Sequence, residues 1–424
     1  MHAWLVTLGE PLPIDGPQAR LLRTGFLARA LRRRGHDVTW FSNRFSHHAK
    51  VQRPGPDARE LADGERLVLL NSRGYRSNVS VARFLDHRDL VRDFLSRAPK
   101  EDPPDLIVAS MPTIDLCEAA VSFGRKIGVP TVVDIRDLWP DSIWDLAPRP
   151  LRPLMPLITW PLERQLRSAL GSATAVTSHV RDFVVWARKK TPGANTENDR
   201  VFALGYERFP EEGDSSEARE FWSSHGLDLE GNDFLVVYVG TISRQCEFGH
   251  VVEAARALSK HGVKFILCGT GDMLTELQYA ASMLPNMLVP GWCTHSQISL
   301  LLEAAGAGLM PYRRLANFVG AVPNKALEYM AAGVPIVWSL EQGVLADLIR
   351  EEGVGVSYDF TANGLASALL ELRQYGDKAL VLSERARSLF NERFRAAAVY
   401  DEMVSFLESL RGDESVKKSE CPST

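Results

Sequence analysis

Cysteine is scarce in this chain of 424 residues: Cys117, Cys246, Cys268, Cys293 and Cys421 make up the set, with no CxxC pair and no ligand-type spacing. That excludes a disulfide framework and a structural metal site, and it fits a reduced, cytoplasmic setting. Long apolar runs are missing as well. No window approaches the ~18 consecutive apolar residues of a membrane span. The opening MHAWLVTLGE lacks the basic region and cleavable apolar core of a signal peptide and reads as a first strand. Phosphate-binding fingerprints are also absent. Neither GTISRQ nor GTGD is a Walker A sequence or a GxGxxG loop, so a P-loop NTPase and an ordinary dinucleotide site both lose ground.

What is present is ordinary for a globular protein: 45% apolar and 24% charged residues, in a length that suits two domains. The net charge of −4 conceals an asymmetry. Residues 1–200 carry 30 Lys and Arg against 23 Asp and Glu, a net of +7, and the remainder carries 19 against 30, a net of −11. The basic half points to an anionic partner other than nucleic acid, or else to a chance imbalance on solvated surfaces.

The first half alternates strand and helix. AWLVTL, HDVTWF, DLIVAS and VPTVVDIRD read as strands, with helices expected over about Gln18–Arg34 and near Leu116–Ile127. The second half repeats the pattern in FLVVYVGTI, KFILCGT, MLVPGW, AGLMPY, VPIVWSL and GVGVSY. Short apolar strands separated by helices argue for parallel sheets covered on both faces. A polar, Gly-rich run between Leu204 and Asn232 marks a boundary, and the tail GDESVKKSECPST reads as disordered. The expected fold class is α/β, with two doubly wound, Rossmann-like domains facing a cleft: 1–205, 206–395, then a tail over 412–424.

Ligands of such sheets bind at the carboxyl ends of the strands. In the second half, Gly240 and Thr241 follow the first strand, and Arg244 supplies a fixed positive charge just beyond. Gly269 and Gly271 bracket Thr270 after the second strand, and Trp292 offers a flat face after the third. The stretch VPNKALEYMAAGVPIV opens a helix at Pro323 and Asn324, with Asn324 a good N-cap. Lys325 then falls in the first turn, where the helix dipole disfavours a cation by about 0.3–1 kcal/mol, and Glu328 follows on the same face. Either a diphosphate neutralises the lysine at this anion-favouring end, or Lys325 and Glu328 form a solvated pair.

In the first half, LPIDGPQARLLRTGFLARALRRRGHDV sets Asp15 and Gly16 in a loop and Arg20 and Arg23 near a helix N-terminus. DIRDLWPD packs Asp134, Arg136, Asp137 and Asp141 into one strand-end loop. Carboxylates beside a guanidinium bind sugar hydroxyls or form an internal ion-pair network, and both readings stay open. His47 and His48 are proton carriers by chemistry, or exposed loop histidines. Residues 146–170 interleave Arg149, Arg152, Arg164 and Arg167 with Leu, Met, Ile and Trp160, and VVWARKK repeats the mixture. Such a surface rests on anionic lipid headgroups or serves as a packing segment, since its prolines prevent one continuous amphipathic helix.

Taken together, these stretches resemble the family 4 nucleotide-sugar glycosyltransferases of GT-B fold, above all the bacterial branch that builds surface polysaccharides, O-antigen and aminosugar transferases among them. LPIDGPQARLLRTGFLARALRRRGHDVTWFSNRFSHHAK, VVDIRDLWPD, YVGTI, PGW and PNKALEYMAAGVPIV carry the likeness across both domains. The resemblance implies an acceptor-binding domain first, a donor-binding domain second, and a C-terminal helix near 396–410 that returns to the first. It also implies a nucleotide-sugar co-substrate of UDP-hexosamine type, no other cofactor, no metal, and retention at the anomeric carbon. The acceptor it implies is a glycan or a polyprenyl-diphosphate-linked sugar at the inner face of the cytoplasmic membrane. By this likeness Glu328 matches the second glutamate of an E-x7-E motif and binds the donor ribose. Lys325 and Arg244 hold the diphosphate, and the segment around Trp292 receives the base. Gly240, Thr241, Gly269 and Gly271 complete the donor side, and Asp15, Gly16, Arg20, Arg23, Asp134 and Arg136 are assigned to the acceptor or interdomain side.

The chain departs from the pattern in three places. Gly320 stands where the first glutamate of the motif belongs, so amides of FVGAV are the candidates to grip the donor sugar. QCEF replaces a lysine often found after the VG strand end, which leaves Arg244 more of the charge. The histidine often found after the fourth strand of the acceptor domain is absent from ASMPTIDL, which turns attention to His47 and to Asp137 of the DIRD loop. Two alternatives share the architecture. One is a nucleotide-sugar 2-epimerase, and the other is a non-catalytic partner subunit of a polysaccharide assembly complex.

Overall fold

The computed structural model describes residues 1–412 except 17–18, 48, 62–63, 77–79, 147–148, 209–214 and 375. Gln18, His48 and the tail from 413 onward therefore lie outside the described residues. The chain divides into two compact units, Met1–Gly205 joined by the segment from Ala396 onward, and Tyr206–Arg395.

The first unit is built on β1 (His2–Val6), β2 (Asp37–Asn43), β3 (Ala58–Glu60), β4 (Arg66–Leu70), β5 (Leu106–Ser110), β6 (Thr131–Ile135), β7 (Ala175–Ser178) and β8 (Arg200–Val201). They pair in the order β3-β4-β2-β1-β5-β6-β7-β8, and all pairs are parallel except β3–β4. LIVAS of β5 and TVVDI of β6 are buried along their whole length, as two-sided covering by helices demands. The helix Ala396–Gly412 completes this core. Its Tyr400, Met403, Val404 and Leu407 join Leu5, Leu27, Leu31 and Trp40 in one buried cluster, each such side chain contributing about 1.5–3 kcal/mol.

The helix expected from Gln18 begins at Arg23 and runs to Arg33. Its N-cap, Leu22, has no side-chain cap. The carboxylate of Glu10 does that work by accepting the Thr24 N–H at 3.1 Å. Arg20 thus precedes the helix, and only Arg23 lies on it.

The second unit carries β9 (Phe234–Val239), β10 (Val263–Cys268), β11 (Met287–Gly291), β12 (Ala305–Met310), β13 (Ile336–Trp338) and β14 (Gly355–Ser357). These pair in the order β11-β10-β9-β12-β13-β14, all parallel. The helix Asn324–Ala332 lies close upon this sheet. A Cβ at Gly308 of β12 would run into the Tyr329 ring, so glycine makes the approach possible. The Tyr329 hydroxyl accepts the Val239 N–H at 3.2 Å and is within donating distance of the Val237 and Leu309 carbonyls, at 3.1 and 3.2 Å. One buried phenol thereby fixes the middle of the helix over β9 and β12.

Candidate functional site

Strand order in the second unit reverses at β9, which has β10 on one side and β12 on the other. The carboxyl ends at such a point form the ligand crevice of a doubly wound sheet. The loops there are laced together by backbone bonds: Gly240 N–H to Cys268 O at 2.9 Å, Ile242 N–H to Thr270 O at 2.9 Å, and Gly269 N–H to Gly291 O at 2.7 Å. Gly271 packs against Ile242 so closely that a Cβ would meet the Ile242 carbonyl. Gly240 adopts φ +148°, and a Cβ there would stand 2.5 Å from Lys325 Nζ. Only glycine lets the strand end lie against that ammonium.

The helix Asn324–Ala332 delivers Lys325. Pro323, extended at φ −65° and ψ 148°, occupies the N-cap position, so Asn324 is the first helical residue and not the cap that the sequence pattern suggested. Proline cannot donate a backbone N–H and presets its φ, which suits a helix start. Lys325 is only 7% exposed. Its Nζ lies 3.5 Å from the centroid of the Tyr238 ring and 5.3 Å from that of Tyr312. No hydrogen bond or ion pair reaches it among the described residues. Burial lowers its pKa to about 8, with the fields of Cys246 and Glu328 opposing that shift. The solvated Lys325–Glu328 pair is thereby overturned: the lysine is inside, and Glu328 is half-buried one turn further on.

The other second-unit candidates are more open. Thr241 is exposed, and its carbonyl accepts the Tyr238 hydroxyl at 2.6 Å. The Arg244 side chain is 77% exposed and lies 3.5 Å from Asp272, with no contact to Lys325 among the described residues. Trp292 follows β11 and is 62% exposed. Gly320 sits between the short helix Ala316–Val319 and Pro323.

In the first unit the strand-end loop of β6 turns inward. Asp134 is 0% exposed. It accepts from Arg23 Nε at 2.9 Å, Arg23 Nη2 at 3.0 Å, Arg136 Nε at 2.8 Å and the Thr177 hydroxyl at 2.9 Å. Arg136 also donates to Glu10, and to the Thr24 hydroxyl at 2.9 Å. Arg23 Nη1 donates to the Phe202 and Ala203 carbonyls at 2.8 and 3.1 Å. Burial by itself would raise the Asp134 pKa, but the two guanidinium groups outweigh it and hold the carboxyl well below the usual range. Asp134 and Arg23, expected on the acceptor side, are thus closed off as an internal network. The carboxylate oxygens of Asp134 and the guanidinium nitrogens of Arg23 all have partners within the protein. Asp141, expected in the same cluster, instead accepts from Trp186 Nε1 and Lys190 Nζ, both at 2.8 Å.

Asp137 remains at the rim, where it accepts the Leu138 N–H at 2.7 Å and the Ser142 hydroxyl at 3.1 Å. His47 is half-buried with Nδ1 at 2.5 Å from the Tyr75 hydroxyl. Asp15 is held by Arg53 Nε and Nη2 at 2.6 and 2.7 Å, and Gly16 beside it has φ +114°. Asp15 and Arg20 line a cavity of about 580 Å³ together with Ile14, Val51, Arg53 and Arg59. Sequence reasoning overlooked Glu10, Thr24, Tyr75, Tyr238 and Tyr329. A carboxylate placed between the first strand and its helix, as Glu10 is, was the available signal.

The basic apolar segment folds as three short helices, Arg149–Leu154, Met155–Ile158 and Trp160–Ser172. Leu154, Leu157, Ile158 and Trp160 are exposed there, with the Arg164 guanidinium 6.0 Å from the Trp160 ring. No helix among the described residues is long and apolar enough to cross a membrane. Among them, no cluster of three or more His, Cys, Asp or Glu side chains has the makings of a metal site.

Comparison with known proteins agrees with this organisation. Residues 22–195 match a family model described as a glycosyl transferase 4-like domain, and residues 233–374 match one described as glycosyl transferases group 1. The amylovoran biosynthesis glycosyltransferase AmsK of Erwinia amylovora is 25% identical over 182 residues, which is 41% of this chain and 44% of AmsK. The chain is thus aligned with under half the length of this curated relative. The solved sucrose-phosphate synthase from Thermosynechococcus elongatus superposes at a TM-score of 0.74 with 17% identity, covering 97% of this chain and 99% of its own. HepE of Anabaena, solved in complex with UDP, superposes at 0.64 with 15% identity, covering 96% and 99%. At those identities the structures establish the fold, and the two family models establish the kinship in each unit. The chain belongs to the family 4 glycosyltransferases of GT-B fold.

Proposed function

We propose that this chain transfers a sugar from a nucleoside-diphosphate donor of UDP-hexosamine type to a glycan or polyprenyl-diphosphate-linked acceptor in bacterial surface-polysaccharide assembly. The reaction retains the configuration at the anomeric carbon and uses no metal. The observation that carries this reading is the buried Lys325 ammonium at the reversal point of the second sheet, held against the Gly240 backbone at a helix N-terminus.

Departure of a nucleoside diphosphate places charge on the leaving oxygens as the sugar gains oxocarbenium character. Preorganised donors in a water-poor site stabilise that charge, and losing one typically lowers the rate about 10²–10³-fold. Lys325 and the first amides of its helix supply the fixed part of this stabilisation. Arg244, long and exposed, folds onto the outer phosphate. Trp292 stacks on the base, Glu328 bonds the ribose, and amides of the FVGAV loop take the place of the missing first glutamate at the donor sugar. The first unit holds the acceptor, with Asp137 and His47 at its rim. The exposed Leu157, Ile158 and Trp160, flanked by Arg152 and Arg164, rest on an anionic inner leaflet.

Two relatives support the reading by what is said of them: AmsK acts in amylovoran biosynthesis, and HepE has been solved with UDP. A thermal-shift screen of nucleotides and nucleotide sugars tests it. A bound donor at 100 times its Kd stabilises by about 2.7 kcal/mol, which moves the melting temperature measurably. A protein that answers to no nucleoside diphosphate sinks the proposal. Epimerisation of a UDP-sugar without acceptor would instead favour the epimerase.

A further inference from the structure

The segments that follow β2, β4 and β6 in the first unit bring together Lys50, Tyr75, Arg83 and Trp139. The donor chemistry uses none of them. Lys50 stands in the left-handed region at φ +56°, a conformation that a residue with a Cβ adopts at a cost. The turn is closed by Lys50 N–H to Ser46 O at 2.9 Å and Ser46 N–H to Val51 O at 2.8 Å. Its ammonium lies 4.5 Å from the centroid of the Tyr75 ring. The Arg83 guanidinium lies 5.7 Å from the same ring and 4.5 Å from that of Trp139.

Two cations therefore share one aromatic ring, and each repels the other. Arg83 is also the third residue of the helix Val81–Arg97, whose N-cap is Ser80 and whose first turn has no acidic residue. The helix dipole adds a further positive field there. The acidic groups whose fields reach Arg83 are Asp86 and Asp137. Asp86 accepts the Gly74 N–H at 2.6 Å, and Asp137 accepts the Leu138 N–H and the Ser142 hydroxyl at 2.7 and 3.1 Å. The repulsion of cation by cation and the positive helix end are both offset when an anion binds beside them, and the left-handed turn at Lys50 is what holds its ammonium there.

We infer that Lys50, Arg83 and the Tyr75 hydroxyl form a subsite for a phosphate or diphosphate ester at the strand-end rim of the first unit. For its biological ligand the inference rests on the proposed acceptor, whose diphosphate this subsite grips. The fork of Arg83 pairs two oxygens of the group, and Lys50 meets a third as a point charge. Ala49 and Val51, on either side of Lys50, line the 580 Å³ cavity with Ile14 and Pro54, which gives the organic part of the ester an apolar wall.

The test is calorimetry on the full chain with inorganic pyrophosphate as probe, in a Lys325→Ala background that removes the donor grip. One site per chain is expected, weakened at least 10-fold by Arg83→Gln or by Lys50→Gly. The glycine variant separates function from folding. It hands a left-handed position to the residue that prefers it, so the melting temperature holds or rises while pyrophosphate binding falls. Absence of pyrophosphate binding in Lys325→Ala overturns the inference, and so does undiminished binding after both further changes. UDP titrated into the single Lys50→Gly variant should bind as in the wild type. A wild type that binds no UDP defeats the donor reading and leaves the pyrophosphate result standing. Farnesyl diphosphate binding more tightly than pyrophosphate identifies a lipid-linked source, and equal affinities identify the bare phosphate group.

Discussion

The two units meet the same electrostatic problem at their strand ends and solve it in opposite ways. Each begins a helix with a cation near the positive end of the dipole, Arg23 in the first and Lys325 in the second. In the first unit Asp134, Glu10, Thr24 and Thr177 are folded in with the guanidinium groups until every charge has a partner. In the second, the ammonium faces aromatic rings and a glycine backbone and no carboxylate touches it among the described residues. A saturated buried network holds a fold together, whereas the buried charge of the second unit is the one to which the proposed function assigns the donor diphosphate.

The largest effect should come from breaking the saturated side. Asp134→Ala strands two guanidinium groups in the interior and should cost roughly 3–5 kcal/mol of stability, read from denaturant midpoints. On the other side, Lys325→Ala should lower sugar transfer about 10²–10³-fold with the fold intact by circular dichroism. Near-normal turnover would remove the contrast. Lys325→Met should go further and stabilise the apoprotein at pH 7 by about 2–3 kcal/mol, since it replaces a buried ammonium with an apolar chain of similar length. A drop in melting temperature would show that the lysine is a structural partner like Arg23.

Titration sharpens the same contrast. Lys325 has a folded pKa of about 8 against an ordinary 10.5, so the unfolded chain holds a proton that the folded chain releases between those values. Its contribution to stability is therefore unfavourable below pH 8 and improves as pH rises across that window, which is the reverse of a paired lysine. Affinity for a nucleoside diphosphate should move the other way and weaken above pH 8, because the neutral amine offers no charge. Flat affinity between pH 7 and 9.5 would contradict the role given to Lys325. The smallest effect belongs to Arg244→Gln. Its exposed pairing with Asp272 contributes about 0–1 kcal/mol, so stability should barely change while the donor KM rises several-fold.

The pattern of apolar strands was legible because two-sided burial demands it, and the ten strands read from sequence all appear in the two sheets. Four others escaped notice. β3 is three largely polar residues and β8 only two, while β4 and β7 lie in segments whose surroundings are irregular. The helix at Arg23 was placed too early because GPQAR looks like a helix start, and its true cap is a glutamate thirteen positions upstream of Arg23. Periodicity is local, whereas capping from a distance is not.

Composition and pattern alone determined the α/β class, the paired sheets and the strand-end loops that carry the candidate residues, since each depends on burial and spacing along the chain. They also marked Lys325 as a cation in an unfavourable place. Whether a given charge is paired within the fold or left facing rings and bare backbone was decided only in three dimensions. That outcome depends on which side chains from remote segments arrive beside it: for Arg23 these were Asp134 and two carbonyls, and for Lys325 the rings of Tyr238 and Tyr312 and the bare backbone of Gly240.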